Sequence, residues 1–391
     1  MIRAAAGLVA AVVVGLVGAP PAYGAPRVVE RTTVTNTVVA LPAAASTTLI
    51  RYRSTSVRGR PTTMTGTLLL PRSAPPTSGW PLAVWSHMTV GAADACAPSL
   101  ARRGDPELAH MTSGDAIVQG LLRAGFAVVR PDFDGIGGPG PHPYLIGSSL
   151  ATSVIDAARA VAASDRRIGR DVVVAGHSEG AVASLFAAAQ PASAWGRLRL
   201  KAVVAVTPPT EMGTIVDTIA ESPVGGGPIA DLTGLAALLI SGASAADPAV
   251  ARLASDGGLS RRASQLMRQV ETRCYGRLTA RDSFGGLAPS QMLGPRGERF
   301  KHALVRVVAA NDVATLRFPR GLPIRIDAGY VDGVAPYPLV SKLVDVYRSH
   351  GSHVDFAGHL AGHTPVPTTP GTPAAIVGWL LQRMRDRPHG R

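Results

Sequence analysis

The chain has 391 residues, 46% hydrophobic and 17% charged, which excludes an intrinsically disordered polypeptide and leaves room for a large core. Its formal charge of +13 invites a nucleic-acid partner, but the only lysines are Lys201, Lys301 and Lys342, and the arginines are scattered, with no basic run of five and no interleaved aromatics. The sequence therefore argues against nucleic acid and favours a basic surface of Arg-biased composition, with attraction to an anionic lipid or cell-wall surface as the alternative.

Met1-Ile2-Arg3 precede an apolar run over 4–19 and then Pro20-Pro21-Ala22-Tyr23-Gly24-Ala25. A charged start, a short apolar stretch and small residues at 22 and 24 predict a secretory signal peptide over residues 1–24, cleaved near Gly24-Ala25. The run is too short and too rich in Ala and Gly for a comfortable spanning helix. No Cys follows it to take a lipid anchor, and no later stretch reads as long enough to cross a membrane. The mature chain is expected to be secreted or held in the cell envelope. Export permits a disulfide, and the two cysteines, Cys96 and Cys274, give one bridge as the simplest reading, with two buried free thiols as the alternative.

Residues 26–60 alternate polar and β-branched residues and predict edge strands. Short apolar runs bounded by turn residues at 65–70, 81–86, 126–130, 171–175 and 202–206 predict strands buried on both faces. Helical patterns lie between them, at 153–163 and 181–189. Strand and helix in alternation predict an α/β fold with a mostly parallel central sheet flanked by helices. The alternation stops near 208. Helical patterns follow at 232–240 and 261–272 with Gly-rich breaks, and strands are next expected at 303–309, 322–326 and 354–357. The predicted organisation is an α/β core built from 25–208 and 309–391, with a largely helical cap inserted over 209–308.

Gly176-His177-Ser178-Glu179-Gly180 follows the strand at 171–175 directly and leads into the small-residue helix at 181–187. A Gly-x-Ser-x-Gly between strand and helix puts the serine on a tight, strained turn, which demands small neighbours. The helix N-terminus adds N–H groups that favour a developing anion. The pattern is similar to the nucleophile elbow of the α/β-hydrolase fold, with Ser178 as the nucleophile. A serine needs a histidine base oriented by a carboxylate, and in that fold the chain order is Ser, then Asp or Glu, then His. Asp327 ends the strand at 322–326, and Asp332 lies in the loop 329–336 that follows; Asp332 is the favoured acid. His353, His359 and His363 are candidate bases. His363, in Ala361-Gly362-His363-Thr364-Pro365 after the last strand, is favoured, and His359 is the runner-up. His359 and His363 are four apart but lack the glutamate of a zinc-protease helix, so no metal and no other cofactor is expected. His177 is expected to pack away from the chemistry. The loop after 81–86 should supply one oxyanion donor and the backbone N–H of Glu179 the other.

Four segments carry a family likeness. They are His87-Met88-Thr89-Val90-Gly91 with Cys96-Ala97-Pro98-Ser99; Pro131-Asp132-Phe133-Asp134-Gly135-Ile136-Gly137; Pro139 to Gly147 running into Ser153-Val154-Ile155-Asp156-Ala157; and the elbow with Thr207-Pro208-Pro209-Thr210 after the next strand. In these the chain resembles the secretory lipase family, of the lipase A type, across 60–210 and more weakly across 320–366. The His142-Pro143-Tyr144 segment is the specific part; general esterases lack it. The resemblance implies secreted hydrolysis of esters, typically acylglycerols, under a helical cap. It also implies a disulfide from the oxyanion region into the cap, matching Cys96 and Cys274, and Thr89 as the first oxyanion residue. Met88 stands where a Gly is usual and Ala181 where a second Gly is common; Met88 either narrows the acyl entrance or shifts the loop. The expected function is a secreted serine ester hydrolase, a triacylglycerol lipase or carboxylesterase, acting through an acyl-enzyme on lipid-like esters. An acyltransferase using the same triad and a catalytically idle secreted binding protein on a hydrolase scaffold are the alternatives.

Overall fold

The computed structural model describes residues 25–385, so the expected signal peptide lies outside the described residues. Strands β1 (Val28–Thr33), β2 (Ala44–Thr55), β3 (Pro61–Pro71), β4 (Trp80–Ser86), β5 (Ala127–Pro131), β6 (Ile168–His177), β7 (Arg199–Val206), β8 (Ile324–Gly329) and β9 (Val354–His359) form one sheet in the order β1-β2-β3-β5-β4-β6-β7-β8-β9. The first three pair antiparallel, and β3 pairs antiparallel with β5. The other six, from β5 through β4 to β9, run parallel. Helices of eight or more residues are α1 (Asp115–Arg123), α2 (Gly147–Ser164), α3 (Glu179–Ala188), α4 (Met212–Ile219), α5 (Pro228–Ala246), α6 (Gly297–Ala310), α7 (Tyr337–Ser349) and α8 (Thr372–Arg385).

The apolar runs make central strands because both of their faces are covered. Val172 and Val174 of β6 join Leu82 and Val84 of β4 in a core closed by α2 and α3 through Val154, Ala157 and Leu185. The alternate residues Val173, Ala175, Ala83 and Trp85 join a second core, closed by α1 and α8 through Ile117, Leu121, Ile376 and Leu380. Each large side chain so buried stabilises the fold by roughly 1.5–3 kcal/mol. The chain passes from β4 to β5 on one side and then crosses to β6 on the other. The loops leaving β4 and β6 therefore diverge at their C-terminal ends, the place where open α/β sheets form a crevice.

Between β7 and β8 the described residues contribute no strand to the sheet, only helices and turns, among them α4, α5 and α6. One sequence expectation fails here. Residues 303–309 are not a strand but lie within α6, so the expected boundary at 308/309 falls inside a helix. The run is rich in valine, which reads as β, but Phe300, Ala303, Leu304 and Val308 repeat at helical spacing and are the apolar side chains α6 buries. Helix α5 corrects a second expectation. Over Ile229–Ala246 its mean hydropathy is 1.6, long and apolar enough to cross a membrane by length and composition, although 56% of that window is buried inside the protein. Leu235, Leu238, Leu239 and Ile240 enter the core shared with α2 and α3, which accounts for the apolarity of that face.

The helical segment between β7 and β8 is fastened to the loop after β4 by a disulfide between Cys96 and Cys274, whose Cα atoms lie 5.5 Å apart. Beside it Gly91 bridges Cys274, and the Tyr275 N–H donates to the Val90 carbonyl at 2.9 Å. The bridge spans 178 residues, a closure that the chain-entropy model values at about 5 kcal/mol. Replacing both cysteines with serine should lower the free energy of unfolding in reversible denaturation by up to that amount; a stability equal to that of the parent would show that the cross-link constrains nothing.

Candidate active site

Ser178 sits between β6 and α3 at φ 56°, ψ −116°, a conformation L-residues avoid, at a cost on the order of 1–3 kcal/mol. Its surroundings over-determine it. The Ser178 N–H donates to the Val206 carbonyl of β7 at 2.9 Å. A Cβ at Gly176 would overlap the Gly180 carbonyl, and one at Gly180 would overlap the carbonyl of Ser86 at the end of β4, so both positions need glycine.

His363, in the loop after β9, faces this turn. The Ser178 hydroxyl lies 2.7 Å from its Nε2, and its Nδ1 lies 2.8 Å from Asp332 Oδ2. The other Asp332 oxygen accepts the N–H groups of Val334 and Ala335, both at 2.8 Å, so the carboxylate is buried and fixed by its own loop. A carboxylate below Nδ1 leaves the lone pair of Nε2 pointing at the serine, the arrangement in which an imidazole accepts the hydroxyl proton. The alternative acid and base are instead spent on each other. Asp327 takes a two-pronged ion pair from Arg325 and bonds His359 Nε2 at 2.8 Å, while His359 Nδ1 meets the Thr372 hydroxyl at 3.0 Å. His353 is exposed just before β9, and its carbonyl accepts from the Ile324 N–H.

His177 is buried, and it also touches His363. Its Nε2 donates to the His363 carbonyl at 3.0 Å, and its Nδ1 meets the Ser113 hydroxyl at 3.3 Å. Burial first, then the neighbouring His363, push its pKa well below the ordinary 6.5.

Thr89 and Glu179 are both buried, and the side chains of both are gripped by the His142-Pro143-Tyr144 segment. The Tyr144 hydroxyl lies 2.9 Å from Thr89 Oγ1, and His142 Nε2 lies 2.8 Å from Glu179 Oε1. His142 Nδ1 donates to the Asp134 carbonyl at 2.8 Å, so both ring nitrogens face acceptors. Burial lowers the pKa of His142, but the Glu179 carboxylate and these bonds outweigh it, and the net shift is upward. The sequence marked this segment only as a family signature; its pairing with Thr89 and Glu179 leaves no trace in spacing or periodicity. The neighbouring signature is structural as well. Asp132 accepts the Ser99 N–H at 2.9 Å and the Thr65 hydroxyl at 2.8 Å, holding the loop after β4 against β3.

Ser178, His363, Thr89 and Met88 line one cavity of about 400 Å³, roofed by Met212, Asp231, Leu235 and Tyr275 of the insertion. A second, almost wholly apolar cavity of about 260 Å³ lies among α4, α5, α6 and α7 and shares Met212, Leu235 and Val334 with the first. Among the described residues no three His, Cys, Asp or Glu side chains group as a metal-binding set.

The fold is that of the α/β hydrolases. The family model of the secretory lipases matches residues 108–391, and the chain belongs to that family, a family of lipase and esterase hydrolases. No curated relative matches the sequence. Among solved structures, lipase A of Candida antarctica in its closed state is similar with a TM-score of 0.70 at 20% identity, covering 91% of this chain and 81% of that one. The rice cell wall degrading esterase LipA of Xanthomonas oryzae is similar with a TM-score of 0.67 at 19% identity, covering 92% and 99%. At these identities the likeness speaks for the fold.

The depressed His177 pKa has a sign that can be tested. Above 6.5 both folded and unfolded chains are neutral at this position. As the pH falls below 6.5 the unfolded chain takes up a proton that the folded chain refuses, so stability declines toward the lower folded value. His177→Gln keeps an N–H donor for the His363 carbonyl and should flatten the fall of Tm as the pH drops below 6.5. A slope as steep as the parent's would contradict the assignment.

Proposed function

We propose that this chain is an exported serine hydrolase that cleaves lipid-like carboxylic esters, triacylglycerols among them, through an acyl-enzyme on Ser178. The observation that carries the reading is the unbroken hydrogen-bonded chain from Ser178 through His363 to Asp332 at the end of a strained turn. In this reading His363 takes the Ser178 proton as the oxygen attacks the ester carbonyl, and Asp332 holds the tautomer and steadies the imidazolium. The backbone N–H groups of Thr89 and Glu179 receive the oxyanion, with Glu179 at the N-terminus of α3, where the helix dipole adds to the field. His363 then returns the proton to the leaving alcohol, and water releases the acid by the same steps. The residues 209–308 act as a cap over the serine, and the apolar cavity of about 260 Å³ beneath α5 receives the acyl chain. Met88 lines the catalytic cavity and adds bulk at its entrance. The disulfide and the signal peptide expected over residues 1–24 support a protein working outside the cytoplasm.

Ser178→Ala should lower kcat on p-nitrophenyl esters by at least about 10⁴-fold, and Asp332→Asn by about 10³- to 10⁴-fold with little change in KM. Across a chain-length series, kcat/KM should rise until the acyl group fills the apolar cavity and then level or fall. Hydrolysis by Ser178→Ala at the parent's rate would refute the reading.

A further inference from the structure

The catalytic cavity is lined by side chains of two chemistries. Met212, Leu235 and Val334 face the adjoining apolar cavity and suit a hydrocarbon. The polar part of the wall carries His110, Asp231 and Tyr275, three side chains that neither the proton relay nor the acyl space uses.

These groups are built into place. His110 Nδ1 is 2.6 Å from Glu107 Oε1, and the second oxygen of that buried glutamate accepts the Gly276 N–H at 2.7 Å. The His110 and Tyr275 rings stack with centroids 5.7 Å apart. The Tyr275 hydroxyl donates to the Asp231 carbonyl at 3.3 Å, and its oxygen keeps lone pairs to offer. Tyr275 follows Cys274, so the disulfide and the Val90 contact hold this wall against the loop that bears Thr89. A wall so anchored keeps a constant position relative to Ser178, as a specificity subsite must.

What the wall offers is also defined. His110 Nδ1 lies against Glu107 Oε1, and the ring is part of the cavity lining. The Asp231 carboxylate has no hydrogen-bond or ion-pair partner among the described residues. Burial raises its pKa and His110 opposes that rise, which places the two within electrostatic reach. Acceptors predominate, and a neutral alcohol with several hydroxyls satisfies them. A plain alkyl alcohol would strip water from these groups and return nothing.

We propose that His110, Asp231 and Tyr275 form an alcohol-side subsite that selects esters whose leaving group carries free hydroxyls, as in partial acylglycerols or sugar esters, over esters of simple alcohols and over fully acylated glycerol. The proposal rests on the ester-hydrolase reading above and narrows its substrate class. The acyl chain lies toward Leu235 and the polyol toward His110, with the scissile carbonyl at Ser178 between them.

The test compares glyceryl monobutyrate, glucose monobutyrate and butyl butyrate, which share one acyl group, so differences report the alcohol alone. For the parent, kcat/KM on the better of the two hydroxylated esters should exceed that on butyl butyrate by about tenfold or more. The preferred member of that pair identifies the polyol. His110→Gln, Asp231→Asn and Tyr275→Phe, the last removing a single oxygen, should each cut the preference about three- to tenfold, mainly through KM. A parent with no preference would overturn the subsite while leaving the hydrolase intact, as would variants that slow all three esters equally. Failure of the parent to hydrolyse any of the three would overturn the hydrolase reading, and the subsite with it.

Discussion

The constraint on which the structure depends is the turn at Ser178. A non-glycine residue at positive φ, at the end of a strand buried on both faces, is stable only if its neighbours leave it nowhere else to go. Here the neighbours are backbone. Gly176 lies against the Gly180 carbonyl, Gly180 lies against the last carbonyl of β4, and the Ser178 N–H is tied to β7. The strain is held by the central strands of the sheet rather than by a loop, and this points the hydroxyl into the crevice where the loops after β4 and β6 part. The apolar strands of the two cores thus serve the turn directly, since any slip in their register would release it.

Around that turn, groups distant in sequence converge through polar contacts made in dry surroundings. Asp332 is fixed by two N–H groups of its own loop before it meets His363. The His142 to Tyr144 segment reaches both Glu179 and Thr89. His142 and Glu179 form a fully buried hydrogen-bonded pair, and removing one partner of such a pair leaves a buried polar group unsatisfied at a cost of about 1–3 kcal/mol. The segment therefore couples the two proposed oxyanion residues to one rigid element. The disulfide does the same for the insertion, joining its polar wall to the loop that carries Thr89.

The central sheet was legible because each parallel strand is a short apolar run between turn residues, and seven of the expected runs lie on β3 to β9. The elbow was legible because its chemistry is local: glycine, serine and glycine must stand at fixed spacing between a strand and a helix. The acid and the base were harder, since two aspartates and three histidines fall in the right order. Their partners differ: Asp327 and His359 are bonded to each other, whereas Asp332 and His363 are hydrogen-bonded in line with Ser178, which is why the proposed relay uses the latter two. Helix α6 escaped because Leu304-Val305-Arg306-Val307-Val308 has strand composition, and only its packing partners reveal the helical face. Helix α5 escaped as an apolar span because Gly234, Ser241 and Gly242 interrupt it. The polar wall of the cavity had no sequence signal, because His110, Asp231 and Tyr275 come from three separate segments.

The account stands most directly on the identity of one nucleophile. Treatment of the folded protein with a fluorophosphonate, followed by peptide mass spectrometry, should find one adduct per chain, on Ser178, and none in Ser178→Ala. An adduct on a different serine, or an unmodified Ser178 in protein that hydrolyses esters, would contradict it.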